Sequence, residues 1–182
     1  KARALWLLSK IEGRAAYYVR LASGHSNEDI RAMSVRIARQ SGLPGVEIAS
    51  SLKDDESPQV RREVLISLRF ESGVAADTIW AQLAMKHDGN DRWYLEALGI
   101  AADLHWEGRF TAWLKLVGND WNTPGGRDII WRSRSKKAPA LLAKILLNSD
   151  TTEDQQPRYL RAFDYHDGPE KEAALEAILL GM

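Results

Sequence analysis

The stretch DRWYLEALGI, Asp91 to Ile100, carries the residue types from which a small acid–base site could be built. It places a tryptophan, a tyrosine and two carboxylates within ten residues. The later stretch QPRYLRAF, residues 156–163, repeats its tyrosine, leucine and alanine in the same register. A shared spacing of this kind indicates stacked structural repeats rather than a reaction centre. Whether Trp93 is buried between helices or offered to a partner stays open at this point.

Other catalytic chemistries lack the residues they need. The chain has no cysteine, and its histidines, at positions 25, 87, 105 and 166, include no i,i+4 pair. Zinc sites and thiol chemistry need such donors. The acidic run Asp54 to Glu56 precedes a helix start, where the helix dipole favours negative charge. We therefore expect no metal site, no cofactor and no catalytic residue in this segment.

One segment is basic enough to suggest contact with phosphates. GRDIIWRSRSKK contains Arg132, Arg134, Lys136 and Lys137 around a tryptophan, and cations interleaved with aromatic rings can hold nucleic acid. However, the chain has 25 basic and 25 acidic residues, so no global field attracts polyanions. We expect no nucleic-acid partner, and keep as the alternative a nucleic-acid-binding or DNA-repair-type domain that uses a concave helical face together with the basic segment 127–144.

Tryptophan is concentrated in the middle of the chain, where six of the seven lie between positions 80 and 131. Trp80 and Trp113 have the apolar spacing of helix interiors, so we predict that they belong to the core. Tryptophan is also enriched at protein interfaces. The remaining four in this region are open to either interpretation: Trp93, Trp106, Trp121 and Trp131.

The elements that would position these residues are helices throughout. Apolar residues keep helical spacing with almost no alternation, which predicts an all-α fold. Start signals are expected in a capping box from Ser26 to Asp29 and in Ser57 followed by Pro58, and stop signals at Gly42 and Gly73.

The helices recur with a period of about thirty residues. Equivalent positions are separated by 30, 33, 33 and 32 residues: Ile30, Val60, Trp93, Gly126 and Arg158. A two-helix unit of this length is typical of an α-solenoid, in which each hairpin buries its apolar face on its neighbours. We predict a right-handed solenoid of about five hairpins in a single domain over residues 1–182. Since the chain starts without Met, we expect it to be part of a larger protein.

The pattern resembles the HEAT repeat, best in DDESPQVRREVLISL (54–68) and next in NEDIRAMSVRIA (27–38). In HEAT repeats the second helices line the concave side, which implies a candidate binding surface there, formed by Arg31, Arg61, Trp93, Tyr94, Arg127, Trp131 and Tyr159. The favoured reading of its arginines is structural, each bonding to an adjacent repeat, with Asp29 and Asp91 as acidic partners. The alternative is a groove for a peptide or ligand.

The later half, with DGNDRWYLEALGIAAD, WNTPGGRDIIWRSRS and QPRYLRAFDYHDGPEKEAAL, resembles the HEAT region of large bacterial proteins of the PVC-type haem-binding or membrane-bound dehydrogenase family. In that family a propeller precedes this region and a CxxCH cytochrome module follows it.

The resemblance implies a non-catalytic spacer or docking scaffold without a cofactor of its own. Its partners would be neighbouring domains of the same chain or another protein. It also implies export to the periplasm, whereas without it we expect a cytoplasmic protein. No apolar run is long enough to span a membrane, and we expect a monomer.

Overall fold

The computed structural model describes residues 2–181, which form helices joined by short turns and contain no strand. The all-α prediction is confirmed for this part of the chain. The helices are α1 (Ala2–Ser9), α2 (Ala15–Ser23), α3 (Glu28–Gln40), α4 (Gly45–Leu52), α5 (Pro58–Ser67), α6 (Val74–Ala84), α7 (Arg92–Ala102), α8 (Trp106–Val117), α9 (Pro124–Arg132), α10 (Ala138–Leu146), α11 (Gln156–Ala162) and α12 (Pro169–Gly181), with a 3₁₀ turn at Phe163–Tyr165.

Packing runs mainly between helices that are two apart in the chain. Contacts connect α1, α3, α5, α7, α9 and α11 in succession, and α4 to α6, α6 to α8 and α10 to α12. Neighbours in sequence also touch, as in α2 with α3 and α4 with α5. The buried apolar side chains form one continuous core between these two series of helices.

Side-chain caps mark the starts of three odd-numbered helices, α3, α7 and α9. The side chain of Asn27 accepts a hydrogen bond from the Ile30 amide, so the predicted capping box at Ser26 is wrong by one residue. Ser57 does precede α5 with Pro58 at its first position, although the Ser57 hydroxyl makes no capping bond. Asp91 and Thr123 cap α7 and α9 through their side-chain oxygens. These acceptors satisfy amides that have no partner inside the helix.

The two predicted glycine stops have different roles. Gly42, at φ +67°, follows α3, and the next amide donates back to the Ala38 carbonyl, as expected of a glycine stop. The prediction that Gly73 ends α5 is wrong, because α5 ends at Ser67. Gly73 directly precedes α6, with φ +93°. A side chain would be strained at either angle, which explains the residue type at both positions.

The tryptophans divide between core and surface. Trp80 and Trp113 are completely buried, which confirms the core prediction, and the Trp80 indole donates to the Leu98 carbonyl over 3.0 Å. Trp106 is also buried, edge-on to Trp80 with ring centroids 5.9 Å apart. Trp121 and Trp131 are partly buried, and Trp93 is 71% exposed. Within residues 2–181, no helix is both long and apolar enough to cross a membrane.

Candidate interaction site

Arg31 and Arg61 hold the turns that precede their own helices. Arg31 Nη1 donates to the carbonyls of His25 and Ser26, and Arg61 Nη1 donates to those of Asp55 and Glu56. In each case the acceptors lie six and five residues before the arginine. The two side chains therefore perform the same structural task one repeat apart.

Arg31 also joins its helix to the next turn. Its Nε and Nη2 atoms bind both carboxylate oxygens of Asp55, at 2.6 and 2.9 Å, and both side chains are nearly buried. The hydrogen bond from Arg31 lowers the pKa of Asp55 below its usual value, with the Ser57 amide adding to the effect. The structural reading of this arginine is thus supported by direct geometry.

The predicted acidic partners of the arginines are not the ones the structure uses. Asp29 accepts from Gln59 over 2.9 Å, and Asp91 pairs with Arg62 at 3.2 Å, whereas Asp55 binds Arg31. Asp29 and Asp91 still connect neighbouring odd-numbered helices.

Tyr94 is not available as a contact residue, since it is 2% exposed. Its hydroxyl donates to the Leu83 carbonyl over 3.0 Å, and its ring stacks on the His87 imidazole with planes 3° apart. Burial raises the pKa of the Tyr94 hydroxyl, despite the opposing effect of Arg61. The prediction that Tyr94 belongs to an open binding surface is therefore wrong. Its side chain packs between α7 and the end of α6.

The prediction that Tyr159 lies on the binding surface is wrong for the same reason. Tyr159 is 4% exposed and lies in the core beside α10. Arg127 has a bracing role, because its Nε donates to Asn122 and its Nη1 to the Thr151 hydroxyl, at 2.6 and 3.2 Å. Thr151 in turn donates to the Ile145 carbonyl. The guanidinium of Arg127 therefore links the start of α9 to the turn after α10.

A partly buried polar cluster, which the sequence analysis did not predict, joins the turn after α6 to α9 and α11. His87 Nε2 and Asp128 Oδ2 are 2.9 Å apart, and Arg158 Nη2 donates to Asp128 Oδ1 over 2.6 Å. Burial would raise the pKa of Asp128, but the bonds from His87 and Arg158 outweigh it and lower the pKa. Asp128 and Arg158 are 30 residues apart, which is about one repeat. This spacing is the feature of the sequence from which their contact could have been predicted.

The aromatic surface of the odd-numbered helices is formed by Trp93 and Trp131. Trp131 is held by a hydrogen bond from its indole to the Arg158 carbonyl, and the Arg158 guanidinium lies 4.5 Å from its ring centroid. Trp93 lies at the start of α7 and is 71% exposed. Of the predicted surface, Trp93 is therefore the residue that offers a large apolar side chain to solvent.

The four cations of the predicted basic patch do not form one common surface. Arg132 passes over Gly99 to reach Glu96 at 3.4 Å, and Arg134 packs 4.2 Å from the ring centroid of Tyr165. Burial lowers the pKa of Arg134. Lys136 and Lys137 are exposed, and Lys137 Nζ donates to the Thr111 hydroxyl.

The described residues hold no group of three histidine, cysteine or acidic side chains that could bind a metal ion. Some buried polar side chains bind one another or backbone carbonyls, as Asp128 binds His87 and as Arg109 Nη2 donates to the Glu71 carbonyl. No family model, no curated protein and no solved structure matches the chain.

Proposed function

We propose that this chain is a right-handed α-solenoid of about five HEAT-like hairpins that serves as a non-catalytic interaction or spacer scaffold. The larger protein would carry the redox or haem-containing module implied by the family resemblance. The observation that carries the proposal is that polar side chains form hydrogen bonds and ion pairs between one odd-numbered helix and the next, which we call braces. Contacts within residues 2–181 support the stacked, elongated arrangement.

Polar contacts of two kinds recur along the chain, and one kind spans about one repeat. Arg31 binds Asp55 and Arg127 binds Thr151, and both acceptors lie 24 residues after the arginine. A second series joins positions 29 or 30 residues apart: Asp29 with Gln59, Arg62 with Asp91, and Asp128 with Arg158. Bonds that repeat with the chain's period are expected when identical units stack in one direction.

The exposed area supports an elongated arrangement. The chain exposes 10153 Å², about 15% more than the roughly 8,850 Å² of a typical compact monomer of its mass. A stack of hairpins has this property because each unit touches only its neighbours. An elongated, internally braced body is suited to holding other domains at a distance.

Trp93 is the residue through which we expect partner contact on the odd-numbered helices. It is 71% exposed at the start of α7, whereas Tyr94 and Leu95, which follow it, are buried. Exposed tryptophan next to a rigid helix provides a large apolar contact at little entropic cost. A partner would therefore bury Trp93 without rearranging the core.

A site-specific crosslinking experiment in the cells that make the protein tests this function. Benzoylphenylalanine replaces Trp93 in the full-length protein, and the control variant carries it at Phe70, an aromatic position 74% exposed. We expect a defined crosslink from position 93, to a neighbouring domain or one other protein, and none from position 70. Equal crosslinking at both positions, or none at position 93, would contradict the proposal.

The nucleic-acid alternative gains no support from the geometry. Arg132 is paired with Glu96, and Arg134 is half-buried against Tyr165, so neither presents a free guanidinium to a phosphate chain. Lys136 and Lys137 remain exposed, but two lysines supply few of the contacts on which such binding depends.

A further inference from the structure

A polar cleft of about 300 Å³ lies between the turn before α9, the turn after α10 and the start of α11. Its volume is at the lower end of the range for small-molecule sites, roughly 300–1,000 Å³, so it suits a small molecule rather than a segment of another protein. Pro124 and the ring of Tyr159 form its apolar part. Its polar lining combines charges of both signs with two side-chain amides: Arg127, Arg158, Asp128, Asp150, Asn122 and Gln155.

Asp128 and Arg158 already neutralise each other. Arg158 Nη2 donates to Asp128 Oδ1 over 2.6 Å, and Asp128 Oδ2 lies 2.9 Å from His87 Nε2. Both oxygens of this carboxylate are therefore engaged within the chain. The charges of the cleft that remain for a ligand are those of Arg127 and Asp150.

Arg127 is a cation held in a fixed position by neutral acceptors. Its Nε donates to the Asn122 side chain over 2.6 Å, and its Nη1 donates to the Thr151 hydroxyl over 3.2 Å. Within residues 2–181 Arg127 forms no ion pair, and its Nη2 atom makes no hydrogen bond. Because the guanidinium is already ordered, binding a carboxylate through its free N–H groups costs little conformational entropy.

Asp150 supplies the opposite charge from the same bonded frame. Its backbone amide donates to the Asn148 side chain over 2.8 Å, and it directly precedes Thr151, to which Arg127 is bonded. Its carboxylate is exposed and forms no ion pair in the described part of the chain. The cleft therefore presents one cation and one anion that neither neutralise each other nor are neutralised by other side chains.

We propose that this cleft binds a small zwitterion of the α-amino acid class. The carboxylate of the ligand pairs with Arg127, its ammonium group pairs with Asp150, and its side chain lies toward the ring of Tyr159. The amide groups of Asn122 and Gln155 are further donors for the ligand carboxylate. This inference goes beyond the scaffold function and depends neither on Trp93 nor on a protein partner.

The combination of charges selects this class of ligand. A carboxylate without an ammonium group is attracted by Arg127 but repelled by Asp150, and an amine without a carboxylate meets the reverse. A phosphate dianion is repelled by Asp150 more strongly than a carboxylate is. A zwitterion pairs with both residues.

L-alanine is the probe, added to the intact ¹⁵N-labelled chain and followed by NMR through the backbone amides of positions 89 and 150, which line the cleft. Propionate and ethylamine each carry one of its two charges, and inorganic phosphate reports on general anion binding. These four compounds separate recognition of a zwitterion from recognition of a single charge.

Two variants remove the charges of the cleft, Arg127→Met and Asp150→Asn. Their matched controls are Arg161→Met and Asp154→Asn, which remove the same charges at exposed positions outside the cleft. Thermal unfolding shows whether each variant is folded. Arg127→Met also removes the bonds to Asn122 and Thr151, whereas Asp150→Asn removes no side-chain contact within residues 2–181. The effect of Asp150→Asn is therefore decisive even if Arg127→Met is destabilised.

We expect L-alanine to bind more tightly than propionate, ethylamine or phosphate. Arg127→Met should weaken L-alanine binding at least tenfold, because it removes charge-assisted hydrogen bonds. Asp150→Asn should weaken it about threefold, as for an exposed ion pair, and should strengthen propionate binding because it removes a repulsion. The two control variants should leave the affinity for L-alanine unchanged.

An absence of saturable shifts even near the solubility limit of L-alanine would overturn the proposal. Phosphate binding as tight as that of L-alanine would also overturn it, because the cleft would then be a general anion site. So would an Asp150→Asn variant that changes L-alanine and propionate binding in the same direction. Crosslinking from position 93 is unaffected by any of these outcomes, so the two proposals fail separately.

Discussion

Replacing Tyr94 distinguishes a structural residue from a contact residue. The Tyr94 hydroxyl donates to the Leu83 carbonyl, which also accepts the Lys86 amide, so Tyr94→Phe leaves no acceptor without a partner. We expect that change to lower the free energy of unfolding by about 1 kcal/mol. Tyr94→Ala removes a ring that is 2% exposed and should cost about 4 kcal/mol through lost burial and the remaining cavity.

These energies correspond to measurable shifts in melting temperature. For a chain of this size, 1 kcal/mol is about 2–4 °C, so Tyr94→Phe should lower the Tm by about 3 °C and Tyr94→Ala by about 8–16 °C. Circular dichroism at 222 nm gives the Tm. Trp93→Ala is the adjacent control, and because Trp93 is exposed it should change stability by less than about 0.5 kcal/mol. Equal losses for Trp93→Ala and Tyr94→Ala, or an unchanged Tm for Tyr94→Ala, would refute the assignment of Tyr94 to the core.

Two further predictions follow from buried charges. Arg31→Met should lower the free energy of unfolding by about 3 kcal/mol, because it leaves Asp55 buried without its partner. The double variant Arg31→Met with Asp55→Asn should lose less than the sum of the two single variants. Additive losses in urea unfolding would exclude a direct coupling between the two side chains. Burial lowers the pKa of His166, so the unfolded chain takes up this proton first and stability is lost as the pH falls below about 6.5. His166→Gln should therefore reduce the difference in Tm between pH 7.5 and pH 5.5, and an unchanged difference would show that His166 does not contribute to it.

The helical elements could be predicted because their signals are local. Ser57 followed by Pro58 acts within one turn and marks the start of α5 where the structure has it. The burial of Trp80 and of Trp113 follows from the spacing of apolar residues within the helix that holds each of them. Such features depend only on neighbouring residues in the chain.

The candidate site was harder to predict because burial depends on the neighbouring helix. Arg31 and Tyr94 occupy equivalent repeat positions, but Arg31 clamps a turn whereas Tyr94 reaches the Leu83 carbonyl at the end of α6. His87 and Asp128 are 41 residues apart and meet only through packing.

Small-angle scattering of the monomeric chain tests the central claim, that the hairpins stack into an elongated scaffold. In a stack, the six odd-numbered helices, spaced 8–10 Å apart, extend over roughly 55 Å. This length predicts a radius of gyration of about 18–20 Å. A compact domain of 182 residues would have about 16 Å. A value of 18–20 Å with an asymmetric distance distribution is the predicted result. A value near 16 Å with a symmetric distribution would contradict the solenoid and the scaffold function built on it.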